Sequence, residues 1–140
     1  MMSETKKMAI IVHSNTLDKL YPVLMLASTS GAMDMEANLF FTFWGMDAIK
    51  KGGLDSASLP GIMRLGTGMM KGKIKEAGVP TLPKLLEMSR MTENVKLYAC
   101  STTMELLGVK KEELIPEVDE VVGAATFLSI AQDCDVQLFI

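Results

Sequence analysis

Of the side chains in the sequence, Cys100 is the one best placed to act as a nucleophile. It stands in YACSTT, where an apolar run gives way to small polar residues, so we expect a strand to end and a helix to begin there. Ser101 or Thr102 is the predicted N-cap of that helix. The free N–H groups and the positive end of the helix dipole would then favour the thiolate, which is the reactive form of cysteine.

The helix dipole alone is too weak to make Cys100 a thiolate at neutral pH. Such an interaction contributes roughly 0.3–1 kcal/mol, whereas one pKa unit corresponds to about 1.36 kcal/mol. From an ordinary thiol pKa of about 8.5, most of the side chain would stay protonated. A mostly anionic sulfur therefore requires direct N–H hydrogen bonds or a neighbouring cation.

His13 is the only histidine of the chain, and it could pair with Cys100 if the strands that precede the two residues are neighbours. The alternative is a solvated histidine or one that caps a loop. No acidic residue can be assigned to orient the ring, so the sequence gives little support to a protease-like Cys-His-Asn arrangement.

The second cysteine, Cys134, is expected to be a buried structural thiol at the opposite edge of the sheet from Cys100. A disulfide between the two is not expected, because their Cα atoms would lie too far apart. The chain has no CxxC motif, and one histidine with two distant cysteines gives too few ligands for a structural zinc site. We therefore predict no metal site and no cofactor.

Five apolar runs mark the expected strands, at residues 8–12, 37–45, 95–100, around 121–122 and 135–140. A helix is expected after the first run, because Leu20, Leu24 and Ala27 lie at helical spacing, and Pro22 would place its start nearby. Shorter helices are expected in MDAIKKGG, TTMELLG and FLSIAQDC. This alternation predicts an α/β fold, namely a single doubly wound domain over residues 1–140 with a mainly parallel five-stranded sheet.

In such a sheet, ligands bind beyond the carboxyl ends of the strands. Besides Cys100, the residues expected at that edge are His13, Ser14, Asn15, Trp44, Gly45, Ser101, Thr102, Thr103, Gly123, Ala124 and Ala125. All but the last three are candidate site residues, although Trp44 could instead belong to the core or the rim. Cys100 is the only good nucleophile among them.

Residues 56–80 interrupt the alternation of strands and helices. This stretch contains five glycines, two prolines and three methionines. A glycine costs a helix about 1 kcal/mol relative to alanine, so no stable long helix is expected there. We interpret the stretch as a Gly/Met-rich insertion that packs at a subunit interface, or forms a lid or a docking surface. Gly66-x-Gly68 lacks the rest of a phosphate-binding loop.

Composition and charge exclude several classes of function. The 140-residue chain has a net charge of -3 and no basic stripe with interleaved aromatic residues, which argues against nucleic-acid binding. Its longest uncharged stretch, Leu20 to Met33, is shorter than the roughly 18 apolar residues of a membrane span. The N-terminus has no signal-peptide core. We therefore expect a cytoplasmic protein with free thiols and no transmembrane segment.

Four stretches of the sequence resemble the DsrE/DsrF-like sulfur-relay family. They are KMAIIVHSNTLDKLYPVLMLASTSGAM, LFFTFWGMDAIKK, VKLYACSTTMELLGV and VDEVVGAATFLSIAQDCDVQLFI, and together they cover nearly the whole chain. The similarity is closest to the branch labelled DsrE-type sulfurtransferase or peroxiredoxin-like. YACSTTMELLG is the most specific of the matching motifs.

The resemblance implies a flavodoxin-like fold and homo-oligomers such as trimers or hexamers. It also implies that Cys100 carries sulfur as a persulfide or a thiosulfonate. The partners it implies are a TusA-like carrier, a rhodanese or a heterodisulfide-reductase-like complex.

The sequence thus predicts a sulfur carrier or sulfurtransferase-like protein in which Cys100 takes up sulfur and passes it to an acceptor thiol. Ser101, Thr102 and Thr103 would donate hydrogen bonds to the sulfur, and His13 would assist. Two alternatives stay open. One is a non-catalytic, oligomeric binding or assembly module that uses the Gly/Met-rich insertion, and the other is a small-ligand binder at the strand edge.

Overall fold

The computed structural model describes residues 5–140, and five parallel strands form its single sheet. The strands are β1 (Lys7–Val12), β2 (Glu36–Phe41), β3 (Val95–Cys100), β4 (Glu120–Val122) and β5 (Val136–Phe139). Their order across the sheet is β4-β3-β2-β1-β5, and every neighbouring pair is parallel. The predicted α/β class and five-stranded parallel sheet are confirmed. The extent of the domain over residues 1–140 stays a prediction.

Within residues 5–140, five α-helices and three 3₁₀ helices connect the strands. The α-helices are α1 (Leu17–Ala32), α2 (Thr67–Glu76), α3 (Leu82–Ser89), α4 (Ser101–Leu107) and α5 (Ala124–Ala131). The 3₁₀ helices cover Phe43–Ile49, Gly61–Gly66 and Lys111–Glu113. No helix of residues 5–140 is long and apolar enough to cross a membrane.

Helices cover both faces of the sheet. Consecutive strand residues point to opposite faces, and Phe40 stacks on Phe127 of α5 with ring centroids 4.5 Å apart. Its neighbour Phe41 instead lines a small interior cavity together with Leu24 of α1 and Leu86 of α3. These five side chains are all buried. The hydrophobic core therefore has one part on each face of the sheet.

Helix α1 begins at Leu17, five residues earlier than a start at Pro22 would require. The prediction was wrong because the burial of apolar side chains in the first turn outweighs the cost of a proline inside the helix. Leu17 and Leu20 in the first turn are both buried, and the Leu20 N–H already donates to the Thr16 carbonyl at 2.9 Å. Pro22 lies on the exposed side of the helix, where its missing N–H costs least.

The Gly/Met-rich insertion contains α2, a helix of ten residues, whereas the prediction concerned only a stable long helix. Its 3₁₀ helix and α2 together form an arm over residues 61–76, and no residue of either element is buried. Contacts at one side hold the arm: Lys71 donates its Nζ to the Asp55 carbonyl at 2.9 Å, and the Leu59 N–H donates to Thr67 Oγ1 at 3.0 Å. These tertiary contacts offset the helix-breaking tendency of the glycines.

Candidate functional site

Cys100 is both the last residue of β3 and the N-cap of α4. The prediction had placed the N-cap at Ser101 or Thr102. Cys100 keeps extended backbone angles (φ -74°, ψ 116°), whereas Ser101 already belongs to the helix. The thiol therefore sits one position closer to the first free N–H groups of the helix than expected. It is also nearly buried, at 6% exposure.

Hydrogen-bond donors of three threonines act on the pKa of the Cys100 thiol. Burial by itself raises the pKa of the thiol, because it penalises the charged form. Bonds from the side chain and the N–H of Thr103, from the side chain of Thr42 and from the N–H of Thr102 lower it, and together they outweigh burial. The pKa of Cys100 therefore lies below that of an ordinary cysteine. The shift is in the direction that the dipole argument required of neighbouring N–H and O–H donors.

Thr42 is a site residue that sequence reasoning missed. The apolar run was predicted to continue as strand to Gly45, which made Thr42 an interior strand residue. In the structure β2 ends at Phe41, and Thr42 Oγ1 lies 3.1 Å from Thr103 Oγ1. The only sequence signal was one hydroxyl residue within an aromatic run, and it could not show that β2 lies beside β3.

The chain turns sharply after Thr42. Phe43 has a φ of 48°, in the left-handed region that costs a bulky residue about 1–3 kcal/mol. Its N–H donates to Thr103 Oγ1 at 3.0 Å. Gly45, a predicted site residue, makes this turn possible, because a Cβ there would lie 2.0 Å from the carbonyl oxygen of Val12. The role of Gly45 in the structure is thus close backbone packing.

His13 lies beside aromatic rings at the same edge of the sheet. Its ring stacks between Phe43 and Phe139, with centroid distances of 6.0 and 5.6 Å. Strand β2 separates β1 from β3, so the condition for direct pairing with Cys100, that the two strands be neighbours, is not met. Trp44, half exposed, meets Phe43 edge to face at 6.2 Å. The result is an aromatic rim on the Phe43 side of the thiol.

Ser14 and Asn15 lie farther along the loop that follows β1. The Ser14 N–H donates to the Ile140 carbonyl at 3.3 Å, and Asn15 Nδ2 donates to Asp47 Oδ2 at 2.9 Å. Asn15 borders a polar cleft of about 380 Å³ that Lys50 and Lys51 also line. Cys100 is not among the residues lining this cleft, so the structure does not bring Asn15 to the thiol.

Ser101 and Thr102 flank the thiol on its helical side. A Cβ on Gly123, which follows β4, would lie 3.6 Å from Ser101 Oγ, so the start of α4 and the end of β4 are close together. Thr102 is exposed, and it acts on the sulfur through its backbone N–H. Of the predicted residues, therefore, Thr102 and Thr103 bond to the Cys100 sulfur, and Ser101 adjoins it in the chain.

Cys134 differs from Cys100 in surroundings and in chemistry. It precedes β5 at the amino edge of the sheet, and its Sγ donates to the Ile130 carbonyl at 3.4 Å. Burial raises its pKa; Lys7 lowers it, while Asp135 and Asp133 raise it further. Both cysteines are free thiols. Within the described part of the chain, no group of three or more His, Cys, Asp or Glu side chains could hold a metal ion.

Comparison with known proteins finds relatives along nearly the whole chain. The family model described as DsrE/DsrF/DrsH-like matches residues 4–59 and 56–139. The chain is 36% identical to a sulfur carrier protein, DsrE2, of Allochromatium vinosum, over 98% of this chain and 99% of the relative. It is 35% identical to an uncharacterized protein, YrkE, of Bacillus subtilis, over the full length of both.

A solved structure is also similar in fold. It is that of a protein of unknown function from Methanobacterium thermoautotrophicum, with a TM-score of 0.54 at 12% identity, covering 97% of this chain and 100% of the other. At that identity the likeness concerns the fold alone. Because the family model covers nearly the whole chain and the sulfur carrier matches it end to end, the chain belongs to the DsrE/DsrF/DrsH-like family.

Proposed function

We propose that this protein is a sulfur carrier or sulfurtransferase-like protein that holds sulfur on Cys100 as a persulfide. The observation that carries the proposal is the set of hydrogen-bond donors around the Cys100 sulfur, which favours an anion without a charged partner. These donors favour the thiolate, which is the form of cysteine that attacks a sulfur donor. The similarity to a sulfur carrier of Allochromatium vinosum points to the same chemistry.

The transfer needs no external oxidant or reductant. The Cys100 thiolate attacks the outer sulfur of a donor persulfide, R–S–SH, forming a new S–S bond while the donor S–S bond breaks. The donor leaves as the thiolate RS⁻, and Cys100 becomes Cys–S–SH. An acceptor thiolate then attacks the outer sulfur in the same way and releases Cys100 as a thiolate. A thiosulfonate on Cys100 would form if the thiolate attacked a divalent sulfur of tetrathionate: a new S–S bond forms while the central S–S bond of tetrathionate breaks, thiosulfate leaves, and Cys100 carries –S–SO₃⁻.

Each residue of the site has a role in this proposal. Thr103 and Thr102 donate hydrogen bonds to the sulfur, and Ser101 adjoins the transferred atom. His13 and Trp44 act at the aromatic rim, where a donor or acceptor would approach, rather than at the sulfur. Gly45 positions the backbone after β2. Ser14 and Asn15 belong to the neighbouring loop that follows β1, away from the sulfur.

Partners, assembly and location form the finer part of the proposal. Phe43 and Trp44 of the aromatic rim are exposed. An exposed aromatic surface suits docking of a protein that carries a reactive thiol, such as a TusA-like carrier or a rhodanese. Exposed apolar residues on several elements support a homo-oligomer, a trimer or a hexamer. Two free cysteines support a reducing compartment, and we place the protein in the cytoplasm.

Sulfur uptake measured by intact mass tests the central claim. Incubation with glutathione persulfide should add the mass of one sulfur atom to the wild-type chain and to Cys134→Ser, the matched control. Cys100→Ser should take up none. Equal uptake by Cys100→Ser and the wild type would refute the proposal.

A second candidate function is an assembly module that uses the arm. Ile62 and Leu65 are 86% and 88% exposed, which is unusual for two large apolar side chains so close in sequence. In a 3₁₀ helix, residues three apart lie on the same side. The two side chains therefore form one apolar ridge suited to a protein interface, and Cys100 would then be a bystander.

A further inference from the structure

The hydroxyl group of Thr103 lies at the centre of the hydrogen bonds around Cys100. Its oxygen is 3.0 Å from the Phe43 nitrogen and 3.1 Å from Thr42 Oγ1. Its side chain is also one of those that bond to the Cys100 sulfur. Thr103 is only 1% exposed, so bulk water does not compete for these bonds.

Counting donors and acceptors restricts where the hydroxyl protons point. A threonine hydroxyl has one proton to donate and two lone pairs to accept with. The Phe43 N–H can only donate, so it occupies one lone pair of Thr103. If Thr42 donates to the other, the single Thr103 proton is left for the sulfur of Cys100.

The reverse orientation leads to the same result. Thr103 then donates to Thr42, and the Thr42 proton is the one left for the sulfur. In both cases one hydroxyl proton reaches the sulfur, and the bond between the two threonines directs it there. Removing the Thr42 hydroxyl would free the Thr103 proton to turn elsewhere.

We propose that Thr42 and the backbone of Phe43 are positioning groups that orient a hydroxyl proton toward Cys100 and so stabilise an anionic sulfur without a cationic side chain. The left-handed turn at Phe43 is what aims its N–H at Thr103. Because hydrogen bonds in a chain polarise one another, accepting this N–H makes the Thr103 hydroxyl a stronger donor. The proposal rests on the proposed function only in taking Cys100 as the residue that carries the sulfur.

The surrounding elements supply no charge that would replace this arrangement. Asp47 on the 3₁₀ helix bonds to Asn15, and Tyr98 on β3 bonds to Asn38. Glu105 on α4 and Glu120 on β4 are exposed, and His13 stacks on Phe43. Within residues 5–140, none of these titratable side chains is among the groups that act on the Cys100 pKa.

The test is the pH profile of thiol alkylation by iodoacetamide in a Cys134→Ser background, which leaves Cys100 as the only thiol. Thr42→Val keeps the shape of the side chain and removes its hydroxyl. We expect about tenfold slower alkylation at neutral pH and a profile displaced to higher pH, since the bond to Thr42 no longer directs the Thr103 proton to the sulfur. Thr42→Ser should restore the wild-type profile. Thr126→Val, at an exposed position on α5, is the matched control and should change nothing.

A wild-type pH profile in Thr42→Val would overturn the proposal, as would a Thr42→Ser variant that folds but behaves like Thr42→Val. If Thr42→Val fails to fold, Thr103→Ser and Thr103→Val replace it. These variants keep or remove the hydroxyl of the other partner in the Thr42–Thr103 hydrogen bond. Alkylation does not involve sulfur transfer. A wild type with the expected profile but no sulfur uptake would therefore refute the proposed function and leave the positioning role intact.

Discussion

Cys100 is nearly buried, yet its pKa lies below that of an ordinary thiol, whereas burial raises the pKa of the less buried Cys134. Depth of burial therefore does not decide the reactivity of these two cysteines. The pKa of Cys100 is lowered by donors of Thr42, which follows the end of β2, and of Thr102 and Thr103 on α4. Cys134 has carboxylates nearby, which oppose ionisation.

This contrast predicts the order in which the two thiols react. Only the thiolate is alkylated at a useful rate. As pH rises from acid, Cys100 should ionise first because its pKa is lowered, and Cys134 should follow at higher pH because its pKa is raised. Peptide mass mapping after short iodoacetamide pulses from pH 6 to 9 should show Cys100 labelled first. Equal profiles, or earlier labelling of Cys134, would contradict this expectation.

At the scale of elements, the sequence predicted the bounds of a strand or helix correctly where local residue signals and the burial of apolar side chains favour the same bounds. The apolar run Val95–Cys100, followed directly by polar residues, predicted β3 with its observed bounds. The start of α1 was misplaced because burial of Leu17 outweighed the signal of Pro22. Neither Thr42 nor the separation of His13 from Cys100 could be predicted, since both depend on strand order, which no local pattern of residues encodes.

One ion pair fixes the start of β3 relative to the start of β4. Arg90, at the end of α3, donates to both carboxylate oxygens of Asp119, at 2.7 and 3.1 Å, and to the Val95 carbonyl at 2.8 Å. Asp119 also accepts the N–H of Leu97 at 2.8 Å. The carboxylate thus joins α3, β3 and the residue just before β4, the strand beside Cys100.

Replacing Asp119 with asparagine should therefore destabilise the fold modestly, by about 1 kcal/mol, because the pair is partly exposed. Burial alone would raise the pKa of Asp119, but the Arg90 guanidinium and the Leu97 N–H lower it. A lowered pKa in the folded state stabilises the fold above the unfolded value of about 3.9, and this stability is lost as pH falls below it.

Urea unfolding at neutral pH and near pH 3 measures this effect. Asp119→Asn should lose stability at neutral pH and approach the wild type in acid. Glu117→Gln, a nearby carboxylate with no ion pair among those that the structure shows, is the control. A constant difference between Asp119→Asn and the wild type at both pH values would show that the carboxylate charge is not responsible.

At the scale of the whole molecule, charge and apolar surface are unevenly distributed. Residues 61–76, the arm, hold four basic residues and one acidic residue, while the chain has a net charge of -3. The arm also exposes Ile62, Leu65 and Met69, and the far edge of the sheet exposes Phe139. The charge of the arm is thus opposite in sign to that of the rest of the chain, which is the distribution that the proposed assembly through the arm requires.

Paired substitution of the apolar ridge separates assembly from chemistry. If the arm joins copies of this chain, Ile62→Ser with Leu65→Ser removes two side chains whose burial contributes about 1.5–3 kcal/mol each. The dissociation constant should then rise by about two orders of magnitude or more. Light scattering after size exclusion should show a smaller species than the wild type.

The control for this double variant is Leu128→Ser, since Leu128 is a similarly exposed leucine outside the arm, and it should keep the wild-type mass. Sulfur uptake at Cys100 should persist in the double variant, because no residue of the arm bonds to the Cys100 sulfur or to Thr42 and Thr103. An unchanged mass would show that the arm does not join copies of this chain. A smaller species that also fails to take up sulfur would mean that the arm of one copy completes the thiol site of another, which would unite the two candidate functions.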